Sequence, residues 1–159
     1  MPYTGLILST RESAAMRREA CALGVSQISA GSRTNPGGYG ADEDSTGQFQ
    51  LGDHRSLEEV VAELAASGYV PSFCTACYRA GRTGKDFMDL AKPGLIKRKC
   101  DPNAVTTLQE YLCDYASPAT QQAGSQAIVE ALDDMEPKTR RNAEKMLGMI
   151  RAGRRDIYC

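Results

Sequence analysis

Two rhythms of apolar and polar residues run along this chain. Gly5-Leu6-Ile7-Leu8-Ser9 is a short apolar run that reads as a buried strand. Ser9-Thr10-Arg11-Glu12 has the form of a capping box, with Ser9 as N-cap and Glu12 three residues on. It predicts a helix carrying Ala15, Met16, Glu19, Ala20 and Leu23, closed by Gly24. Val25 to Ala30 reads as a second strand, so the first 30 residues predict strand, helix, strand, with connections short enough for a parallel βαβ unit. Ser56-Leu57-Glu58-Glu59 is a second capping box and starts a helix through Val60, Val61, Leu64 and Ala65 that ends at Gly68. From Cys77 onward the period is helical. A helix over Lys85 to Ala91 stops at Pro93-Gly94. A second begins at Asp101-Pro102 with Val105, Leu108, Leu112 and Tyr115 on one stripe. A third begins at Ser117-Pro118 with Ala123, Ala127, Ile128 and Leu132 inward. A fourth begins at Glu136-Pro137 with Ala143, Met146, Leu147 and Ile150 inward and stops at Gly153.

Two strands and two helices are too few for a closed sheet, and a two-stranded sheet is marginal in water. The exposed strand edge needs partners, so the first part reads as the end of something larger, about a quarter of an eight-stranded barrel. In βαβ units chemistry gathers at the carboxyl ends of the strands. Here those ends are Ser9-Thr10 and Ser29-Ala30-Gly31-Ser32-Arg33-Thr34. The second offers hydroxyls and a guanidinium fork suited to a carboxylate, with Gly31, Gly37 and Gly38 allowing close backbone approach. It also reads as an ordinary glycine-rich connection. Asp42 to Gly47 is an acidic turn without the pattern of a calcium loop.

Composition changes this picture little. The chain has 159 residues, 42% hydrophobic and 25% charged, ordinary for a globular protein. A net charge of −1 argues against bulk electrostatic capture of nucleic acid. No apolar run approaches the roughly 20 residues of a membrane span, and no secretory signal pattern opens the sequence. Six cysteines without such a signal point to a reducing compartment, the cytoplasm or an organelle interior.

The cysteines carry the chemistry. Cys74, Cys77 and Cys100 form a C-x2-C-x22-C pattern. Thiolates are soft ligands for iron–sulfur clusters and zinc. Complete cysteine ligation of a [4Fe–4S] cluster takes four thiolates, so three leave one position open. The C-x2-C pair alone also fits a redox dithiol, half of a zinc site or two buried thiols. A zinc site would need a fourth ligand, for which Cys113 or His54 is available. His54, the single histidine, sits in a loop just before a helix, where a capping role is expected. Cys21 and Cys113 read as packing residues and Cys159 as part of a loose tail. Arg79, Arg82, Lys85, Lys97, Arg98 and Lys99 flank the motif, either to offset an anionic cluster or as a solvated surface.

The residues Ser29-Ala30-Gly31-Ser32-Arg33-Thr34-Asn35-Pro36-Gly37-Gly38-Tyr39 resemble the last-strand motif of the radical S-adenosylmethionine tyrosine lyases. Gly5 to Glu12 and Phe49-Gln50-Leu51-Gly52-Asp53-His54-Arg55-Ser56 fit the same family, which includes the thiazole-pathway 2-iminoacetate synthase and the H-cluster maturase of [FeFe]-hydrogenase. Cys74-Thr75-Ala76-Cys77-Tyr78-Arg79, Gly81-Arg82-Thr83-Gly84 and Cys100 match the maturase branch, which has a C-terminal cysteine domain that the thiazole enzyme lacks. The resemblance implies an α/β plus α fold. Residues 1–70 would end a (βα)8 radical-SAM barrel, and residues 71–159 would form a helical domain for an auxiliary iron–sulfur cluster. It implies that Cys74, Cys77 and Cys100 ligate that [4Fe–4S] cluster, whose fourth iron is left to a non-protein cysteine carrying an additional iron. Ser29, Ser32 and Arg33 would face the substrate cavity. The implied partners are the N-terminal half of the barrel, tyrosine and free cysteine as small molecules, and other hydrogenase maturation proteins. The family's C-x3-C-x2-C motif, which holds the S-adenosylmethionine cluster, does not occur in this sequence. The chain therefore reads as the C-terminal piece of such an enzyme, inactive by itself. A zinc-stabilised helical binding module and an iron–sulfur carrier without catalysis are the other readings.

Overall fold

The computed structural model describes residues 5–36 and 48–159. Gly37, Gly38 and Tyr39 and the acidic turn at Asp42 to Gly47 lie outside the described residues. The chain divides into two compact units, residues 1–60 and 61–159.

The first unit contains the strand–helix–strand expected from the apolar runs. Strand β1 (Ile7–Leu8) pairs in parallel with β2 (Gln27–Ile28), Ile7 opposite Gln27 and Leu8 opposite Ile28. Both strands are shorter than the apolar runs that announce them. Helix α1 (Ala14–Ala22) links them. It starts later than the sequence reading placed it. Ser13, not Ser9, is the N-cap, accepting from the Met16 N–H at 3.3 Å. Ser9 closes a local turn instead, accepting from the Arg11 N–H at 3.3 Å. The C-terminus is as expected. Gly24, at φ 104°, donates to the Cys21 carbonyl, and Val25 donates to Ala20, which is the Schellman pairing.

The side of α1 that is buried is set by a charged residue. Met16 is 53% and Leu23 89% exposed, while Arg17 is buried. The reason is an ion-pair node. Asp53, itself buried, pairs with Arg17, and Arg17 also donates to the Ser29 carbonyl at the end of β2. Arg55 completes the node, giving its Nε to Asp53 Oδ1 at 2.9 Å and its Nη2 to Oδ2 at 2.7 Å. Gly52 brings Asp53 there. Both residues donate backbone N–H groups to the Thr10 carbonyl, and a Cβ on Gly52 would meet the Arg11 carbonyl oxygen at 2.4 Å.

Helix α2 (Leu57–Ala66) opens with the capping box read from sequence. The Ser56 N–H and hydroxyl reach Glu59 Oε2 at 2.8 Å, and the Glu59 N–H returns to Ser56 Oγ at 3.2 Å.

The second unit is helical: α3 (Ala76–Arg79), α4 (Lys85–Ala91), α5 (Lys97–Asp114), α6 (Pro118–Asp133) and α7 (Pro137–Arg151). Helix α4 and the starts of α6 and α7 fall where the sequence put them. Ser117 caps α6 by accepting from the Thr120 N–H. Helix α5 departs from the expectation, because it begins ahead of Asp101-Pro102 and carries Pro102 inside. Successive turn bonds from Lys97 to Gly94, Arg98 to Leu95 and Lys99 to Ile96 start the helix before the proline is reached. Pro102, now inside the helix, leaves the Arg98 carbonyl without its usual N–H partner and crowds it, and its ring is fully buried.

The core lies where α5 packs on α7 and α6. Val61, Val105, Leu108, Tyr111, Leu112, Ile128, Ala143 and Leu147 form it, with Val70 and Leu132 packed alongside. The inward residues expected on α7 are all buried. On α5, Tyr111 takes the place expected for Tyr115, which is 78% exposed. Among the described residues no helix is long and apolar enough to cross a membrane.

Candidate metal centre

The Cys74-Cys77 turn is set against α5 by the residues just before it. The Phe73 N–H donates to Thr107 Oγ1 at 3.2 Å, and the Phe73 ring stacks on Tyr111 with centroids 5.2 Å apart. The Cys74 N–H bonds to Ser72 Oγ at 3.3 Å. Cys74 lies just before α3 and Cys77 inside it, one short turn away. The Ala76 N–H points at Cys74 Sγ, 3.4 Å away. Such N–H donors to sulfur are a means by which a protein tunes thiolate-held clusters. Behind the turn, the Arg82 N–H bonds to the Cys77 carbonyl at 2.8 Å.

Cys100 comes from the first turn of α5, its N–H bonded to Ile96 O at 2.9 Å. Its thiol is pushed up to about 11, first by burial, then by the charges of Cys77, Cys74 and Asp101. Arg82 works against this shift. The two thiols of the turn thus lie within electrostatic reach of the third, although 22 residues separate Cys77 from Cys100 in sequence. All six cysteines are free thiols, with Cys74 and Cys100 exposed and Cys77 half-buried. Among the described residues no group of three or more histidine, cysteine, aspartate or glutamate side chains is already gathered to hold a metal ion. Free thiols have no centre to gather around, and as thiolates they repel one another.

The donor set fits a thiolate-held cluster in its chemistry. The three cysteines are soft ligands, Cys74 already accepts a backbone N–H, and Arg82 has a buried Nε without a partner. Half of the six flanking cations are engaged elsewhere. Arg79 pairs with Asp156, Lys85 with Asp89, and Arg98 with Glu136.

Cys113 is not a fourth ligand to this set. It lies 13 positions after Cys100 on the same helix, roughly 20 Å along the axis at 1.5 Å per residue. It is exposed, not packed, and accepts from Gln109 Nε2 at 3.5 Å. His54 is an exposed loop residue between Asp53 and Arg55. Cys159 is not a loose end. Its N–H donates to Asn103 Oδ1 at 2.9 Å, and its oxygen accepts from Arg82 Nη2 at 2.8 Å and Asn103 Nδ2 at 3.2 Å. Its thiol is pushed up by burial first, Lys99 and Arg82 lowering it and Cys74 adding slightly to the rise. Sequence reasoning missed Asn103. Its position one residue after a proline, inside a helix, was the available signal.

At the other candidate site, Ser29 and Ser32 are half-buried and Arg33 is exposed. The Ser29 N–H is bonded to Leu8 O at 3.0 Å as part of strand pairing. The Ser29 carbonyl is held by Arg17.

The solved structure of HydG, a maturase of the [FeFe]-hydrogenase, superposes on 99% of this chain with a TM-score of 0.92 and 45% identity. The chain is HydG-like. It spans 34% of that HydG chain. Residues 1–70 also match the Biotin and Thiamin Synthesis associated domain. Over 70 residues the chain is 41% identical to the 2-iminoacetate synthases of Salmonella typhimurium and of Escherichia coli strain K12. Those matches cover 44% of this chain and 19% of each synthase. The likeness to HydG, unlike that to the synthases, extends through the segment that bears Cys74, Cys77 and Cys100.

Proposed function

We propose that this chain is the auxiliary-cluster end of a HydG-like radical S-adenosylmethionine lyase. In this reading Cys74, Cys77 and Cys100 ligate three irons of a [4Fe–4S] cluster, and the fourth iron is left to a non-protein cysteine carrying an additional iron. When bound, the cluster supplies an open metal position at which small ligands can be assembled. The complete enzyme would cleave tyrosine, convert the dehydroglycine released into carbon monoxide and cyanide, and deliver an iron–carbonyl–cyanide unit to hydrogenase maturation partners in a reducing compartment. S-adenosylmethionine and its own cluster belong to that complete enzyme, since no C-x3-C-x2-C stretch occurs in this sequence.

This chain's residues divide the work. The α3 turn presents Cys74 and Cys77, and α5 presents Cys100. The Ala76 N–H and the Arg82 guanidinium offset the negative charge that three thiolates bring. Residues 1–70 would complete the (βα)8 barrel, with Ser29, Ser32 and Arg33 near the substrate. Residues 71–159 would carry the cluster. The exposed apolar side chains Leu6, Ile7, Met16 and Leu23 on the first unit support a barrel remainder that covers them.

The observation that carries the reading is that the likeness to HydG runs through the segment bearing Cys74, Cys77 and Cys100. Anaerobic reconstitution with iron and sulfide tests it. The expected result is four irons and matching sulfide per chain, with a paramagnetic resonance signal in the reduced protein that shifts on adding L-cysteine. Serine at position 74, 77 or 100 abolishes that signal, and Cys113→Ser leaves it unchanged. Zinc alone, or no uptake of iron and sulfide, overturns the reading.

A further inference from the structure

The last residues of this chain return to the cysteine turn. Helix α7 closes at Gly153, φ 90°, with Gly153 donating to Ile150 and Arg154 to Met149. The chain then runs back over α5. Arg155 grips Asp114, its Nε 2.7 Å from Oδ2. Asp156 sits at φ 63°, the only non-glycine residue described in the left-handed region, where aspartate is tolerated better than most side chains. That conformation lets its N–H donate to Glu110 Oε1 at 2.5 Å while its carboxylate takes both amino groups of Arg79. The Arg79 guanidinium also lies 4.4 Å from the centroid of the Tyr158 ring. Cys159 finishes the run, held through N–H and oxygen by Asn103 and through oxygen by Arg82, with its Sγ 3.8 Å from Lys99 O.

These contacts fall on two places. One is α3 and the loop behind it, through Arg79 and Arg82. The other is α5, through Lys99, Asn103, Glu110 and Asp114. The first bears Cys74 and Cys77, and the second bears Cys100 one residue from Lys99. The segment's hydrogen bonds with Arg79, Arg82 and Asn103 fall beside the cysteine positions, and those with Glu110 and Asp114 anchor it further along α5.

We propose that residues 156–159 are a strap that fixes the span between the Cys74-Cys77 turn and Cys100, with Arg79, Arg82 and Asn103 as positioning residues for the centre. The proposal rests on the reading of those three cysteines as ligands. Residues that hold metal ligands in place commonly contribute 10–100-fold to metal affinity. An ordered tail at this place therefore matters to the cluster more than to the fold.

The test compares the chain with an Asp156→Asn/Tyr158→Ala double variant and, separately, with Asn103→Ala. Asp156 and Tyr158 are 64% and 40% exposed, so their replacement leaves the core intact even if Asn103→Ala does not fold. Two measurements are made. In metal-free protein, amide hydrogen exchange of residues 76–82 is expected to quicken about tenfold in the double variant while α6 and α7 keep their protection. In reconstituted protein, loss of iron to a chelator is expected to be about tenfold faster, the low end of the range for ligand-supporting residues. Unchanged exchange at 76–82, or a rise spread evenly over α6 and α7, overturns the strap. A loaded parent whose variants keep iron equally well overturns it too, leaving the ligand assignment standing. A parent that takes up no iron overturns the ligand assignment and the proposal together.

Discussion

Asp53 answers to two arginines, and its titration follows from that. The Arg55 guanidinium is the largest influence, and with Arg17 it holds the carboxyl well below the usual carboxylate range, against the opposing effect of burial. A group whose acidity is raised in this way by folding stabilises the folded state above its unfolded value, 3.8, and loses that contribution as pH falls below it. Asp53→Asn would leave Arg17, 2% exposed, without its ion-pair partner. Removing one member of a buried pair costs about 3–5 kcal/mol. Urea melts followed by circular dichroism are expected to show that loss at pH 7 and a difference reduced by about a third at pH 3, where the unfolded chain is protonated but the folded carboxyl stays ionised. An equal difference at both values would show that the node is not what Asp53→Asn disrupts.

At the scale of elements, Gly52 is the position with the least tolerance. Its missing Cβ leaves room for the backbone of Arg11, Glu12 and Ser13, which a side chain would meet at 2.4–2.9 Å. Backbone cannot step aside as a side-chain end can, so Gly52→Ala is expected to destabilise by about 1–3 kcal/mol, as overpacking does. A thermal melt that matches the parent would refute this. The same segment explains what the sequence could not disclose. Helical periodicity located α6 and α7 because proline at the first position and inward apolar residues agree there, and α4 because Pro93-Gly94 marks its end. It misplaced the start of α1 because Ser9 and Ser13 are both acceptable caps, and only the tertiary path decides between them. It did not single out Arg17 as the buried residue of α1, because an arginine looks polar in any pattern and its partner Asp53 stands 36 residues later. Pro102 looked like a helix start because first-turn proline is common, whereas the turn from Gly94 had already committed the chain. Spacing alone marked the three cysteines as candidates and put Arg82 beside them. Asn103 was not singled out, because its partner is the main chain of residue 159, far away in sequence.

Over the whole molecule, the first unit leaves several large apolar side chains uncovered: Leu6 54%, Ile7 72%, Met16 53% and Leu23 89% exposed. A short strand with an open edge and apolar neighbours invites association. Light scattering across a concentration series is expected to detect self-association that an Ile7→Glu/Leu23→Glu variant reduces. A parent of constant mass at all concentrations would show that these side chains are tolerated in water. The second unit poses a different problem, one of timing. Chains are synthesised from the N-terminus, so Cys74, Cys77 and Cys100 leave the ribosome before Asp156, Tyr158 and Cys159 exist. With the proposed strap, the site has no finished form until residues 156–159 have been made. A chain that stopped before residue 156 would form a helical bundle with the three cysteines present and none of them held in place.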